Sequence, residues 1–306
     1  SLQRICQAID FIDATAFSHQ RAFVIEVMGR HCGWLALMAG VSTGADFVFL
    51  PENPPSDNWQ EEMCSVVRKH RELGKRKTIV IVAEGAHDRD LNPVSASTVK
   101  DLLSNNVGLD TRVTTLGHVQ RDFLGEDLLL FVVQLTKDVA KKIEAKDFAG
   151  AMAGRDAEFG EYWQAFNFMT ATNKDDHKLP EKKRMRVGLI HVGAPAGGMN
   201  AATRAAVAYC LTRGHTPVAL HNGFPGLIRH HDDEMSSVRE VPWLDAENWA
   251  SKGGSEIGTN RGLPSEDMET VAHCFEKYKI DALWVVGGFE AFTAVSELRK
   301  ARSQYD

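Results

Sequence analysis

Three short stretches of this 306-residue chain carry groups that bind anions and hydroxyls, each just after an apolar run. Met28-Gly29-Arg30 follows the run from Arg21: the glycine lets the backbone approach a ligand, and the guanidinium can clamp a phosphate with two parallel hydrogen bonds. Glu84 follows Thr78–Ala83, where a lone carboxylate can accept hydrogen bonds from sugar hydroxyls. Gly117-His118-Val119-Gln120-Arg121 follows Thr111–Leu116 and offers two donors, His118 and Arg121, at a spacing that suits one phosphate. Together these groups fit a phosphorylated sugar. Singly, an arginine, histidine or glutamate after a strand is more often a capping or solvated residue. Arg21 and Arg112 begin their strands, so they belong to the opposite sheet edge and would serve such a pocket only across a subunit interface.

Those groups share a site only if their strands lie side by side in a parallel sheet, where ligands gather at the carboxyl ends. The sequence supports that arrangement. Helical spacing of apolar residues over 2–12 leads into a strand over Arg21–Met28, a glycine-bounded turn Gly29–Gly33, a helix over Trp34–Val41 and a strand over Ala45–Leu50. A helix over Glu61–Leu73, the strand Thr78–Ala83, a helix over Asn92–Ser104 and a strand over Thr111–Leu116 continue the rhythm.

From Leu128 the pattern changes to amphipathic helices carrying Val139, Ile143, Phe148, Met152 and Phe159, then to a polar linker over Thr170–Lys183. The α/β rhythm resumes with a strand over Met185–Val192, a glycine-rich turn Gly193–Gly198 and a helix over Ala201–Leu211. Next come a strand over Pro217–His221, a helix over Met268–Lys277, a strand over Ala282–Val286, a turn at Gly287-Gly288 and a helix from Ala294 to Asp306. The expected fold class is α/β, with two parallel-sheet blocks, both incomplete, at 1–131 and 184–306, joined by a helical connector over 132–183.

Apolar residues at 43% and charged residues at 25% place the chain among soluble globular proteins, and 306 residues allow about two domains. A net charge of −6 argues against a nucleic-acid partner, and apolar runs broken by Gly, Glu or His argue against a membrane span. Five scattered cysteines without a C-x-x-C pair read as reduced thiols of a cytoplasmic protein. Ser1 opens directly into a helical pattern, so the chain reads as a piece of a longer one. A nucleotide-dependent oxidoreductase is disfavoured, since no G-x-G-x-x-G follows a strand.

Several long strings in order give the sequence a family likeness. SHQRAFVIEVMGRHCGWLAL, FLPE, VAEGAHD and TRVTTLGHVQR resemble the second part of the catalytic half of eukaryotic, fungal-type ATP-dependent 6-phosphofructokinases. EAKDFAGAMAGRDAEF resembles the helix joining the two halves of that duplicated enzyme. VGLIHVGAPAGGMNAATRAAV, GGSEIGTNRGLP and IDALWVVGGFEAF resemble the start of its regulatory half. The resemblance implies fructose 6-phosphate contacts at Met28, Gly29, Arg30, Glu84, His118, Val119, Gln120 and Arg121, with Arg21 and Arg112 reaching the sugar phosphate of a neighbouring subunit. It implies fructose 2,6-bisphosphate as effector, with Arg261 on its phosphate, and assembly with other phosphofructokinase subunits as a homo- or hetero-oligomer.

For the complete enzyme the resemblance implies ATP and Mg2+, but this chain is expected to bind neither fully. The family's nucleotide turn GGD is matched in the second block by Gly193-Ala194-Pro195 and Gly287-Gly288-Phe289, and Phe289 is no metal ligand. The proton-acceptor Asp of the family lies outside the chain, and no metal ligand is assigned. After Arg121 the family's Gly-Gly gives way to Asp122-Phe123-Leu124-Gly125-Glu126-Asp127. A non-catalytic, sugar-phosphate-binding regulatory protein therefore stands as the alternative.

Overall fold

The computed structural model describes residues 1–29, 32–120, 137–155, 157–170, 178–229 and 237–305. It divides into two compact units, Ser1–Ala171 and Thr172–Asp306.

The first unit runs α1 (Leu2–His19), β1 (Ala22–Val27), α2 (Trp34–Thr43), β2 (Phe47–Phe49), α3 (Trp59–Glu72), β3 (Thr78–Ala83), α4 (Ala96–Leu102) and β4 (Thr111–Thr115). A 3-10 turn at Gly117–Gln120 follows, then α5 (137–144), α6 (Phe148–Ala153) and α7 (Ala157–Thr170). Its four strands lie in the order β2-β3-β1-β4, all parallel. Buried on both faces, β3 is a continuous β-branched run, Thr-Ile-Val-Ile-Val-Ala, as a central parallel strand requires. Alternate residues of β1 feed two cores: Phe23, Ile25 and Val27 join Ile5, Ile9 and Leu37, whereas Ala22 and Val24 join Met63, Val67 and Val99.

Asp46 ties β2 to β3 from inside. It accepts the Ile79 N–H at 2.8 Å, the Lys75 ammonium at 2.5 Å and the His70 Nδ1 at 2.6 Å. Burial alone would raise its carboxyl pKa, but the Lys75 and His70 contacts outweigh it and hold the group well below the usual carboxylate range.

The second unit contains β5 (Arg186–Val192), α8 (Met199–Arg213), β6 (Thr216–Leu220), α9 (Gly223–Arg229), β7 (Val238–Glu240), α10 (Trp243–Ala246), β8 (Thr259–Asn260), α11 (Met268–Lys277), β9 (Ala282–Gly287) and α12 (Phe289–Ala301). Central β5 pairs in parallel with β9 along one edge and with β6, then β8, along the other. β7 adds an antiparallel strand beyond β6.

Several elements differ from the sequence expectation. α6 and α7 are not a free-standing connector: Phe159 and Phe166 enter the core that α1 and α2 share, so the first unit extends to Ala171. The predicted helix over Asn92–Ser104 begins at Ala96, because Ser95 caps it by accepting the Thr98 N–H at 3.1 Å. α12 starts at Phe289 instead of Ala294, with Ala291 and Ala294 buried against the core under β9. The departure over 122–131 lies outside the described residues. Among the described residues no helix is long and apolar enough to cross a membrane.

Candidate functional site

Register puts the candidate groups at one edge. Val27 pairs with Ala83 and Glu26 with Thr115, so Met28, Glu84 and the Gly117–Gln120 turn all leave the first sheet at its carboxyl end. Side chains then extend the sheet's pairing. Gln120 is buried; its amide donates to the Met28 carbonyl at 2.7 Å and accepts the Met28 N–H at 2.9 Å, as a strand neighbour would. Glu84 accepts the Gly29 N–H at 3.0 Å. A Cβ on Gly29 would stand 2.1 Å from the Cys32 carbonyl oxygen, so only glycine fits there.

Of the eight residues proposed around the hexose, Met28, Gly29, Glu84 and Gln120 are drawn together, and His118 and Val119 lie exposed on the turn that leads into Gln120. Arg30 and Arg121 fall outside the described residues. Gln120 departs from the sequence reading in one respect: its amide is committed to the Met28 backbone, which makes it a brace of the site.

Two residues escaped the sequence reading. Glu52, fully buried just beyond β2, accepts the Gly33 N–H with both carboxylate oxygens, at 2.8 and 2.9 Å. Arg155 meets it, Nε donating to Oε1 at 3.0 Å and Nη2 donating to the same oxygen. Burial would lower the Arg155 pKa, yet the Glu52 carboxylate, with help from Cys32, more than compensates and raises it. The beginning of β2's exit, Leu50-Pro51-Glu52, carried a usable signal, since a carboxylate after a strand is what marked Glu84. Arg155 carried none, being far away in sequence and outside any strand.

At the amino edge Asp110 bridges the two arginines assigned to a neighbouring subunit, binding Arg21 Nε at 2.6 Å and Arg112 Nε at 3.3 Å. The Arg21 hydrogen bond, with help from Arg112, lowers the Asp110 carboxyl pKa. Both arginines lie at the edge away from Glu84, where the sequence placed them.

In the second unit Arg261 is exposed, with its Nε 3.6 Å from Glu290 Oε1. A Cβ on Gly193 would stand 3.0 Å from the other oxygen of Glu290. The glycine turn is internally bonded: Gly193 N–H donates to the Asn260 carbonyl at 2.8 Å, and Ala196 N–H to Met199 Sδ at 3.2 Å. Asn200 pins the facing loop, donating to the carbonyls of Lys252 and Gly253 and accepting the Glu256 N–H. Buried His191 lies between the Ser255 and Thr203 hydroxyls, and burial lowers its pKa to about 4.

Two α/β sheets, the first all parallel and the second parallel but for its edge strand β7, define a protein of the doubly wound α/β class. The phosphofructokinase family model matches residues 1–124 and 186–305, and the chain belongs to that family. It is 58% identical to the ATP-dependent 6-phosphofructokinase of Aspergillus fumigatus over 346 aligned positions, covering all of this chain and 43% of that protein. It is 50% identical to the beta subunit of the Candida albicans enzyme, covering 36% of it. Phosphofructokinase from Saccharomyces cerevisiae superposes with a TM-score of 0.91 at 47% identity, covering 99% of this chain and 45% of that one. The chain thus spans under half the length of these relatives. The family match breaks between 124 and 186, and the alignment is longer than the chain, so the relatives carry residues that this chain lacks within the matched span.

Proposed function

We propose that this chain is part of an ATP-dependent 6-phosphofructokinase, the whole protein transferring the ATP γ-phosphoryl to the 1-hydroxyl of fructose 6-phosphate in glycolysis. The observation that carries this reading is the braced edge of the first sheet, where Gln120 and Glu84 fix the backbone of Met28 and Gly29 beside exposed His118. There Met28, Gly29, Glu84 and His118, with Arg30 and Arg121, hold the sugar phosphate. Arg21 and Arg112 serve a neighbouring subunit; the names of alpha and beta subunits among the relatives support assembly of unlike chains. Five free cysteines fit a cytoplasmic setting.

The second unit is an effector unit for fructose 2,6-bisphosphate, with Arg261 as a phosphate contact. Its glycine turn does not fit a nucleotide's phosphates: the N–H groups of Gly193 and Ala196 are already bonded, and the Glu290 carboxylate stands beside them. ATP and Mg2+ therefore belong to the complete enzyme and not to this unit.

A chimera tests the proposal. The matching span of the Aspergillus fumigatus relative is replaced by this chain, and ATP-dependent phosphorylation of fructose 6-phosphate is measured. Activity is the expected result. A folded chimera that binds fructose 6-phosphate without phosphorylating it favours a regulatory sugar-phosphate-binding protein, for which the exposed Phe289, no metal ligand, speaks. One that binds no fructose 6-phosphate overturns both readings.

A further inference from the structure

Glu52 is fully buried, and its partner Arg155 has a side chain only 6% exposed. Taking a carboxylate out of water is costly unless a cation and hydrogen bonds compensate it, and removing one member of such a pair leaves the other uncompensated. Arg155 supplies that compensation from the bend between α6 and α7. Its guanidinium carbon also lies 5.5 Å from the centre of the Phe159 ring, which fixes the side chain from its other side.

What the pair holds is the start of α2. Both oxygens of Glu52 take the Gly33 N–H. The neighbouring Cys32 donates its N–H at 3.2 Å, and its thiol, to the Gly29 carbonyl. Gly29 in turn gives its N–H to Glu84. An unbroken series of contacts runs Arg155–Glu52–Gly33–Cys32–Gly29–Glu84. Anchoring α7 does not require it, because Phe159 and Phe166 already hold that helix in the core. The pair sits instead where the backbone turns from α2 toward the candidate sugar site.

We propose that Arg155 is a positioning residue for that site: through Glu52 it fixes the backbone at Gly33, Cys32 and Gly29, so affinity for a phosphorylated hexose depends on the segment between α6 and α7. The proposal rests on the functional reading above. Misplacing a binding group by a fraction of an ångström to one ångström weakens it by roughly tenfold or more.

The test uses the full chain as wild type, Arg155→Lys and Arg155→Met, with Glu52→Gln combined with Arg155→Met as a form that buries no lone charge. Amide hydrogen exchange is followed at Gly29, Cys32 and Gly33 against β1 and β3, and fructose 6-phosphate affinity is measured by calorimetry. In Arg155→Met, exchange at Gly33 and Cys32 is expected to rise about tenfold with β1 and β3 unchanged, and the sugar phosphate to bind roughly tenfold more weakly. Arg155→Lys, which keeps the charge but not the paired donors, is expected to fall between. Should Arg155→Met unfold, the double variant is expected to show the same local loss in an intact sheet. Unchanged protection at Gly33, or an equal loss across β1 and β3 with affinity intact, overturns the proposal. Failure of the wild type to bind fructose 6-phosphate sinks the functional reading alone, because exchange at Gly33 still decides the role of Arg155.

Discussion

Gln120 binds both backbone groups of Met28, its side-chain amide doing beyond the end of β1 what the β4 backbone does along it. The loop after β4 is thereby locked to the loop after β1, and two elements proposed to share one ligand move as one. Gln120→Leu leaves the Met28 N–H and carbonyl without that partner in a half-buried place. A loss of about 2 kcal/mol is expected in chemical denaturation, together with weaker sugar-phosphate binding. Unchanged stability would show that the clamp is dispensable.

Space, and not backbone strain, demands glycine at Gly33, whose φ is an ordinary −95°. A Cβ there would stand 2.5 Å from Leu50 Cδ2 and 2.7 Å from Glu52 Oε2. Gly33→Ala is expected to lower stability by about 1–3 kcal/mol. Gly197→Ala, which meets nothing within 4 Å, is the matched control and is expected to stay within about 0.5 kcal/mol. Equal melting curves for the two variants would contradict the packing described around Glu52.

His191 makes the second unit acid-sensitive. Burial lowers its pKa to about 4, below the ordinary value of 6.5, so the unfolded chain takes up a proton first as pH falls. The stability it contributes is complete above about pH 6.5 and drains away toward pH 4, by about 3 kcal/mol in all. His215 and His221 are shifted downward by burial too and act in the same direction. Urea midpoints recorded from pH 7 to 4.5 should fall steeply in the wild type and less steeply in His191→Asn. Parallel profiles would remove His191 from this role.

Trp284, Phe289, Phe292 and Val295 are exposed on β9 and α12, and among the described residues β9 has no partner on its far edge. An apolar face beside an open strand edge drives association. Concentration-dependent self-association is expected in sedimentation velocity, and Phe289→Ser with Phe292→Ser should reduce it. A monomer at every concentration, before and after those changes, would contradict the expectation.

Much of the fold was legible because its period is simple. Thr78–Ala83 and Met268–Lys277 form where their spacing put them, since a buried strand and an amphipathic helix each leave a repeating pattern. Elements as short as Thr259–Asn260 and Val238–Glu240 cannot show a period, and Gly223–Arg229 carries Gly223, Pro225 and Gly226, which mask a helical pattern. In the site, Glu84 was legible from its place after a strand. The brace by Gln120 and the Glu52–Arg155 pair were not, because they depend on contacts between distant segments that no local spacing encodes.

The most direct test of the sugar-phosphate site is the dissociation constant of fructose 6-phosphate for this chain, measured by calorimetry beside plain fructose and repeated with Glu84→Ala and His118→Ala. Saturable binding of the phosphorylated sugar is expected, with little binding of fructose and a loss of about tenfold, or ~1.4 kcal/mol, in each variant. Equal affinity for both sugars, or binding that neither substitution weakens, would contradict the assignment of the first sheet's carboxyl edge.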